Sequence, residues 1–521
     1  MSWKPETDEI AQRNRWAEAL GGEEVVARHH AQGRLTVRER VDAVLDQNSF
    51  QEVGKLTGNA TYGEDGKLTK VTPAPYVMGL GKINGRPVAI GGEDFTIRGG
   101  TSWGGARRKG GQGGFVEDLA VHYRIPLVNL IDGAGGSVAS AKRRGYSVFP
   151  GIDGFERSVE LLGIAPVVSA VLGSAAGGPG GRAILSHWSL MTRDTSQVFA
   201  AGPAVVERSL GEKITKEALG GAQVAVDIAG TIDNVYADEK ACFAAIRKFL
   251  SYMPQNVWEL PPAVVCDDPV DRREEALLSI VPRARRQPYN MRKLMSLIVD
   301  RDSVFEIQPS FGKSVITAFA RMAGRVVGVV ANNPMIQGGA MDAKSAKKQA
   351  HFMELCDTFH IPLIFLVDVP GFMVGSAAEA QATLREGMKA VYVGLQVTVP
   401  VLTVVIRKCY GMAGMATTDK NGVDLKIAWP SAEWGSLPIE GGVAVAYRRE
   451  IEAAADPAKR QQEIEDEMQR YASPLLTAQA FAVEDVIDPR DTRAYLCRFL
   501  EAAQSRLATT LGPKARVGVR P

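Results

Sequence analysis

The chain contains no run of about 18 uninterrupted apolar residues, so nothing in it predicts a membrane-spanning helix. Its opening stretch, MSWKPETDEIAQRNRW, lacks the apolar core of a signal peptide. The five cysteines (Cys242, Cys266, Cys356, Cys409 and Cys497) form no CxxC pair, which predicts reduced thiols in a cytoplasmic protein. No HxH or HExxH occurs among the six histidines, so no metal site is signalled, and no GxSxG marks a hydrolase nucleophile. GGQGG (110–114) and GGPGG (177–181) lack the complete GxGxxG and the later acidic residue of a dinucleotide loop. Charge of one sign is also missing: 61 basic and 59 acidic residues leave a formal +2. That balance gives no electrostatic reason to expect nucleic acid or a membrane as partner.

What remains is a globular composition, 45% hydrophobic and 23% charged, in a chain too long for one core at 521 residues. Glycine is in excess, at 54 residues against a norm of about 7%. The glycines gather in 91–114, 133–136, 173–181 and 411–414. Clustering of this kind predicts tight turns where backbone meets a ligand.

The chain repeats itself. VLDQNSFQE, ending at Glu52, returns as IVDRDSVFE, ending at Glu306. GRPVAIGGEDFTIRGG (85–100) returns as GRVVGVVANNPMIQGG (324–339), RIPLVNLIDGAGG (124–136) as HIPLIFLVDVPGF (360–372), and PVVSAVLGSAAGG (166–178) as PVLTVVIRKCYGM (400–412). The offset shrinks from 254 through 239 and 236 to 234, the drift that small loop insertions produce. A period this long makes each copy a domain. Within each copy, continuous apolar runs such as LVNLID and VVSAVLG predict strands covered on both faces. FVEDLAVHYR and AHFMELCDTFH carry helical spacing, so the fold class is α/β with crossover helices. Six prolines between 254 and 290 interrupt both periods and predict a linker between domains 1–253 and 291–521. Beyond 445, REIEAAADPAKRQQEIEDEMQRYA predicts a charged helical stretch on a solvated or interface surface.

The chemistry falls where a buried strand ends in a turn nearly free of side chains, Leu172 to Gly181. Pro179 suits a first helical turn, and amides just before it can touch a substrate oxygen. Such glycines serve equally well for tight helix–strand packing. The second copy has Lys408 to Gly414 at the same strand end, which favours two substrates, each with a carbonyl to polarise. Arg107, Arg108 and Lys109 either meet the phosphates of a nucleotide tail or form an ordinary solvated run.

GRLTVRERVDAVLDQNSF (33–50), RDTSQVFAAGPAVV (193–206), GEKITKEALGGA (211–222), DVPGFMVG (368–375), AWPSAE (428–433), IEGGVAVAYRRE (439–450) and VEDVIDPRDTR (483–493) occur in that order. Together they resemble the carboxyltransferase (β) subunits of propionyl-CoA, methylcrotonyl-CoA and related biotin-dependent acyl-CoA carboxylases, over nearly the whole length. The resemblance implies two crotonase-like domains. It implies an acyl-CoA against Gly177 and Gly178, with Gly135 and Gly136 beside them. It implies carboxybiotin against Gly411, Met412 and Ala413, with Gly371, Phe372 and Tyr410 beside them, a Met415 that borders the acyl pocket, and no metal. It further implies a hexamer whose active site lies between one subunit's N-domain and a partner's C-domain.

The chain has no ATP-grasp signature and no AMKM-type biotinylation site, so a biotin carboxylase and a biotin carboxyl carrier are expected as partners. Departures from the family pattern occur at Met412 and Met415, at Ala225 where a histidine is usual, and at Ala201 in place of threonine. The acyl group is left open. The same turns would serve a decarboxylase or transcarboxylase subunit, and a non-catalytic CoA-binding assembly subunit is the reading from another class.

Overall fold

The computed structural model describes residues 2–101, 114–136, 153–417 and 425–515, with 138, 141–142 and 145–147 between the second and third spans. Arg107, Arg108, Lys109 and most of GGQGG lie outside the described residues. The chain divides into two compact units, Met1–Glu259 and Leu260–Pro521. The division falls inside the proline-interrupted stretch 254–290. Of that stretch, Leu277 and Tyr289 are buried in the core of the second unit.

In the first unit seven strands form one sheet: β1 (Gln51–Glu52), β2 (Tyr76–Ile83), β3 (Arg86–Glu93), β4 (Leu127–Ile131), β5 (Val167–Val171), β6 (Trp188–Thr192) and β7 (Asn234–Tyr236). They lie side by side in chain order. The first two pairings are antiparallel and the last four parallel. Every residue of β4 and β5 is buried, as a sheet covered on both faces requires. Two helices concern the site, α1 (Phe115–Tyr123) and α2 (Gly178–Ile184).

The second unit repeats the plan with β8 (Phe305–Ile307), β9 (Val315–Met322), β10 (Arg325–Asn332), β11 (Leu363–Val369), β12 (Val401–Tyr410), β13 (Lys426–Ala428) and β14 (Asp485–Val486). Order and pairing sense are the same. Its helices include α3 (Ala343–Thr358), α4 (Thr383–Gln396) and α5 (Gly411–Met415). Its core packs one face of the sheet, through alternate residues such as Ile316, Ala318 and Ala320, against the C-terminal helix at Leu496 and Leu500.

The duplication extends to individual contacts. Asp46 accepts the N–H groups of Asn84 and Gly85 at 3.1 and 2.7 Å; Asp300 accepts those of Ala323 and Gly324 at 3.0 and 2.8 Å. These two-residue connections carry positive φ at both positions, 52° and 78° in the first and 49° and 78° in the second. That is the turn whose twist suits a hairpin, and the carboxylate satisfies both donors. Arg38 pairs with Glu52 at 2.8 Å, and Arg292 with Glu306 at 2.6 Å. The charged stretch beyond 445 is two helices, Arg448–Ala453 and Pro457–Gln469, because Asp456 caps Lys459 N at 3.0 Å and Pro457 opens a new first turn.

Candidate active site

β5 runs out into a short strand, Ser174–Ala176, which pairs in parallel with Gln197–Phe199. The chain then turns at Gly177, whose φ of 61° excludes most side chains, and enters α2 with Pro179 in its first turn. The N–H of Gly177 approaches Phe199 O at 3.4 Å. That of Gly178, first in the helix, has no intrahelical acceptor. A methyl group built on Gly177 or Gly178 meets nothing within 4 Å, so both backbones face open space.

The second unit reproduces this turn. The end of β12 pairs in parallel with Glu433–Gly435, so Tyr410 opposite Gly435 matches Ala176 opposite Phe199. Gly411 takes the place of Gly177, with φ 60°. Met412 then matches Gly178, and Ala413 matches Pro179. The second turn therefore carries one amide that the first lacks. Met412 and Met415 are exposed side chains, whereas Ala413 and Gly414 are buried.

Each turn is anchored by a buried aspartate at the end of the adjacent strand. Asp132, fully buried, receives Arg40 Nη1 at 3.0 Å; the same guanidinium donates to Leu172 O at 3.0 Å and to Glu239 at 2.8 Å. Asp368, equally buried, receives Arg407 Nη2 at 3.0 Å and the N–H of Lys408 at 3.1 Å. Position 173 corresponds to 407. A Cβ on Gly173 would lie 1.9 Å from Asp132 Oδ1, so one copy supplies the cation from the strand itself and the other must keep glycine there. In the first unit Asp132 N also donates to Glu93 at 3.3 Å, and Glu93 is ion-paired with Arg182 of α2. Asn332 does the equivalent for Asp368 N at 3.0 Å.

Of the residues expected beside the turns, Gly135 is closest: with φ 78°, its Cβ would lie 2.5 Å from Ala176 O. Gly136 is exposed, with open space around it. Gly371 has φ 143° and is likewise open, while the Phe372 ring packs against Gly387 of α4. Tyr410 is buried behind the second turn, near the Arg285–Glu433 ion pair at 2.7 Å. Burial and Glu433 hold its hydroxyl well above the usual phenol range. Arg40, Glu239, Arg407 and Arg182 escaped sequence reasoning. The aspartates that Arg40 and Arg407 serve were in view in the repeated LIDGAGG and LVDVPGF, but their partners lie at unrelated spacings.

Residues 28–517 match the carboxyl transferase domain family. The chain belongs to that family. A carboxyltransferase relative is the propionyl-CoA carboxylase carboxyltransferase subunit of Haloferax mediterranei, 35% identical over 97% of this chain and 97% of that one. Another is the methylmalonyl-CoA carboxyltransferase 12S subunit of Propionibacterium freudenreichii subsp. shermanii, 36% identical over 96% and 95%. The methylmalonyl-CoA decarboxylase subunit alpha of Propionigenium modestum is 34% identical over 91% of each. Among solved structures, a transcarboxylase 12S hexamer with methylmalonyl-coenzyme A bound superposes with a TM-score of 0.89 at 34% identity, over 100% of this chain and 99% of that one. This carboxyltransferase thus has the crotonase-like α/β fold, in two copies. Among its described residues no cluster of three His, Cys, Asp or Glu is placed to hold a metal ion, and no helix is long and apolar enough to cross a membrane.

Proposed function

We propose that this chain is the carboxyltransferase subunit of a biotin-dependent acyl-CoA carboxylase, with Gly177–Gly178 holding the acyl-CoA thioester and Gly411–Ala413 facing carboxybiotin. The observation that carries this reading is the pair of matched turns. Each ends a parallel strand at a left-handed glycine and leaves first-turn amides without a protein acceptor among the described residues.

A thioester enolate concentrates negative charge on its oxygen. A fixed N–H such as that of Gly178 stabilises that charge without reorganising, and one such donor is worth about 3–4 kcal/mol. The open face over Gly177 and Gly178 lets the oxygen come within hydrogen-bond distance. Asp132 and Arg40 keep the loop and the strand end from drifting. The amides of Met412 and Ala413 fit the carbonyl oxygen of a ureido ring in the same way, and Tyr410 closes the turn from behind. Bound there, carboxybiotin supplies the carboxyl group and, once relieved of it, a nitrogen basic enough to take the α-proton. No side-chain base is needed, in keeping with a site built from backbone.

Domains 1–253 and 291–521, a hexamer with sites shared between subunits, and separate biotin carboxylase and carrier chains complete the proposal. A transcarboxylase or decarboxylase subunit is the second reading, favoured by the names of two relatives. The test is to isolate the tagged chain with its biotinylated partner and measure bicarbonate fixation with ATP and short acyl-CoAs. A large oligomer that fixes bicarbonate is expected. Carboxyl transfer between two acids, without ATP, would establish the second reading. An active monomer would contradict the shared site.

A further inference from the structure

Helix α2 carries the Gly178 amide, yet little in its own sequence keeps it in place. It has seven residues, GPGGRAI, and a helix so short and so rich in glycine is not stable alone. Pro179, Gly180 and Ala183 are buried, and Ile184 is exposed. Arg182 is therefore the one long side chain that ties the helix to the sheet. Its guanidinium forms an ion pair with Glu93, the last residue of β3, and lies over the Tyr76 ring with Cζ 5.4 Å from the centroid. Tyr76 and Glu93 stand directly opposite each other on β2 and β3, so the helix is fastened to one cross-strand pair.

Glu93 also reaches the loop beside the turn. One carboxylate oxygen pairs with Arg182, and the other accepts the N–H of Asp132 at 3.3 Å. A Cβ on Gly133 would lie 2.9 Å from Glu93 Cγ and 3.1 Å from the Pro179 ring. Gly133 thus touches the Glu93 side chain and the first turn of α2 at once. Pro179 directly follows Gly178, so any tilt of α2 against this loop moves the Gly178 N–H. The two charged side chains are 13% and 4% exposed, which leaves water little room to screen the pair.

The fold does not demand this pair. The positions equivalent to Glu93 and Arg182 in the second unit are Asn332 and Ala416. Asn332 keeps the bond to the loop, from Asp368 N, but carries no charge. There α5 is tied by Gln349 of α3, whose Nε2 donates to Ala416 O at 2.6 Å. One copy fixes its turn with a neutral amide, the other with an ion pair.

We propose that Glu93 and Arg182 are positioning residues for the thioester-side turn, locking α2 against the 132–135 loop so that the Gly178 N–H points at the enolate oxygen. The proposal rests on the functional reading above. Glu93 meets the charge of Arg182, so the arginine contributes orientation rather than field at the substrate. A misplacement of about 1 Å in such a site can cost a hundredfold in rate. The loss falls on kcat and spares KM, because a donor aimed at the enolate oxygen acts chiefly in the transition state.

Glu93→Gln/Arg182→Met tests this, because it removes both charges together and strands no buried ion. Carboxylation of propionyl-CoA by the oligomer with its biotinylated partner should show kcat at least tenfold lower, with KM for propionyl-CoA within about threefold of native. Arg182→Lys keeps the cation and should be the more active of the two variants. Placed in Gly178→Val, where the donor is already blocked, the double replacement should change the remaining rate less than about twofold. A native kcat in the double variant would overturn the proposal, and so would an Arg182→Lys protein no better than it. An equal fold-loss with and without Gly178→Val would mark a general loosening of the unit and would overturn it too. Native transfer by Gly178→Val alone would overturn the functional reading together with this one.

Discussion

Gly178→Val should lower carboxyl transfer at least a hundredfold while leaving the protein folded. Gly177 carries the left-handed backbone of the turn; Gly178 does not, so a β-branched residue fits its conformation. Open space surrounds the position, and valine in a first helical turn costs under about 1 kcal/mol. The isopropyl group would stand where the substrate oxygen must approach, and the loss of one such donor typically reduces kcat by 10²–10³. Gly177→Val behaves differently, because a φ of 61° strains any side chain by about 1–2 kcal/mol or more. Thermal unfolding and kcat measured on both variants separate the two roles. Near-normal transfer by Gly178→Val would remove the amide from the chemistry, and a collapse of its melting temperature would make the turn a packing device.

The second large effect is on stability. Arg40→Leu should cost about 3–5 kcal/mol, because it removes the guanidinium that two buried carboxylates share, Glu239 at 2.8 Å and Asp132 at 3.0 Å, and leaves Asp132 only the longer 3.8 Å pairing with Arg34. For a unit of this size that corresponds to a fall of roughly 10 °C in Tm. Replacing the carboxylates as well, in the triple variant Arg40→Leu/Asp132→Asn/Glu239→Gln, should recover a large part of it, since the penalty belongs to the uncompensated charge. A loss under about 1 kcal/mol in the single variant would show that water reaches the network. The second unit offers a control: Asp368 has its cation, Arg407, on the neighbouring strand and owes nothing to Arg40.

How far the sequence could carry these conclusions depended on the kind of contact. The repeat was legible because the same hairpins and crossovers impose the same residues twice: Asp46 and Asp300 under a tight turn, and Gly177 and Gly411 at a left-handed position. Strands β4 and β5 were legible because burial on both faces leaves no polar alternation. Gly173 read as part of a tight turn where backbone meets a ligand, but its glycine makes room for the Asp132 carboxylate pressed against it. Arg40 lies 92 residues from Asp132 and 199 from Glu239, distances at which no periodicity announces a partner. The packing of the Phe372 ring against Gly387 on α4 was not legible either, because the two residues belong to separate elements.

The most direct test of two oxyanion turns on one chain is transfer of label from carboxyl-labelled methylmalonyl-CoA to free biotin by the purified oligomer. It should be run on the native protein, on Gly178→Val and on Met412→Pro. Proline is accepted in a first helical turn and deletes the one N–H that matches Gly178 in the other copy. The native oligomer should transfer label without ATP, and each variant should do so at least a hundredfold more slowly, with acyl-CoA binding retained in Met412→Pro. A native rate in either variant would contradict the pairing of the two turns.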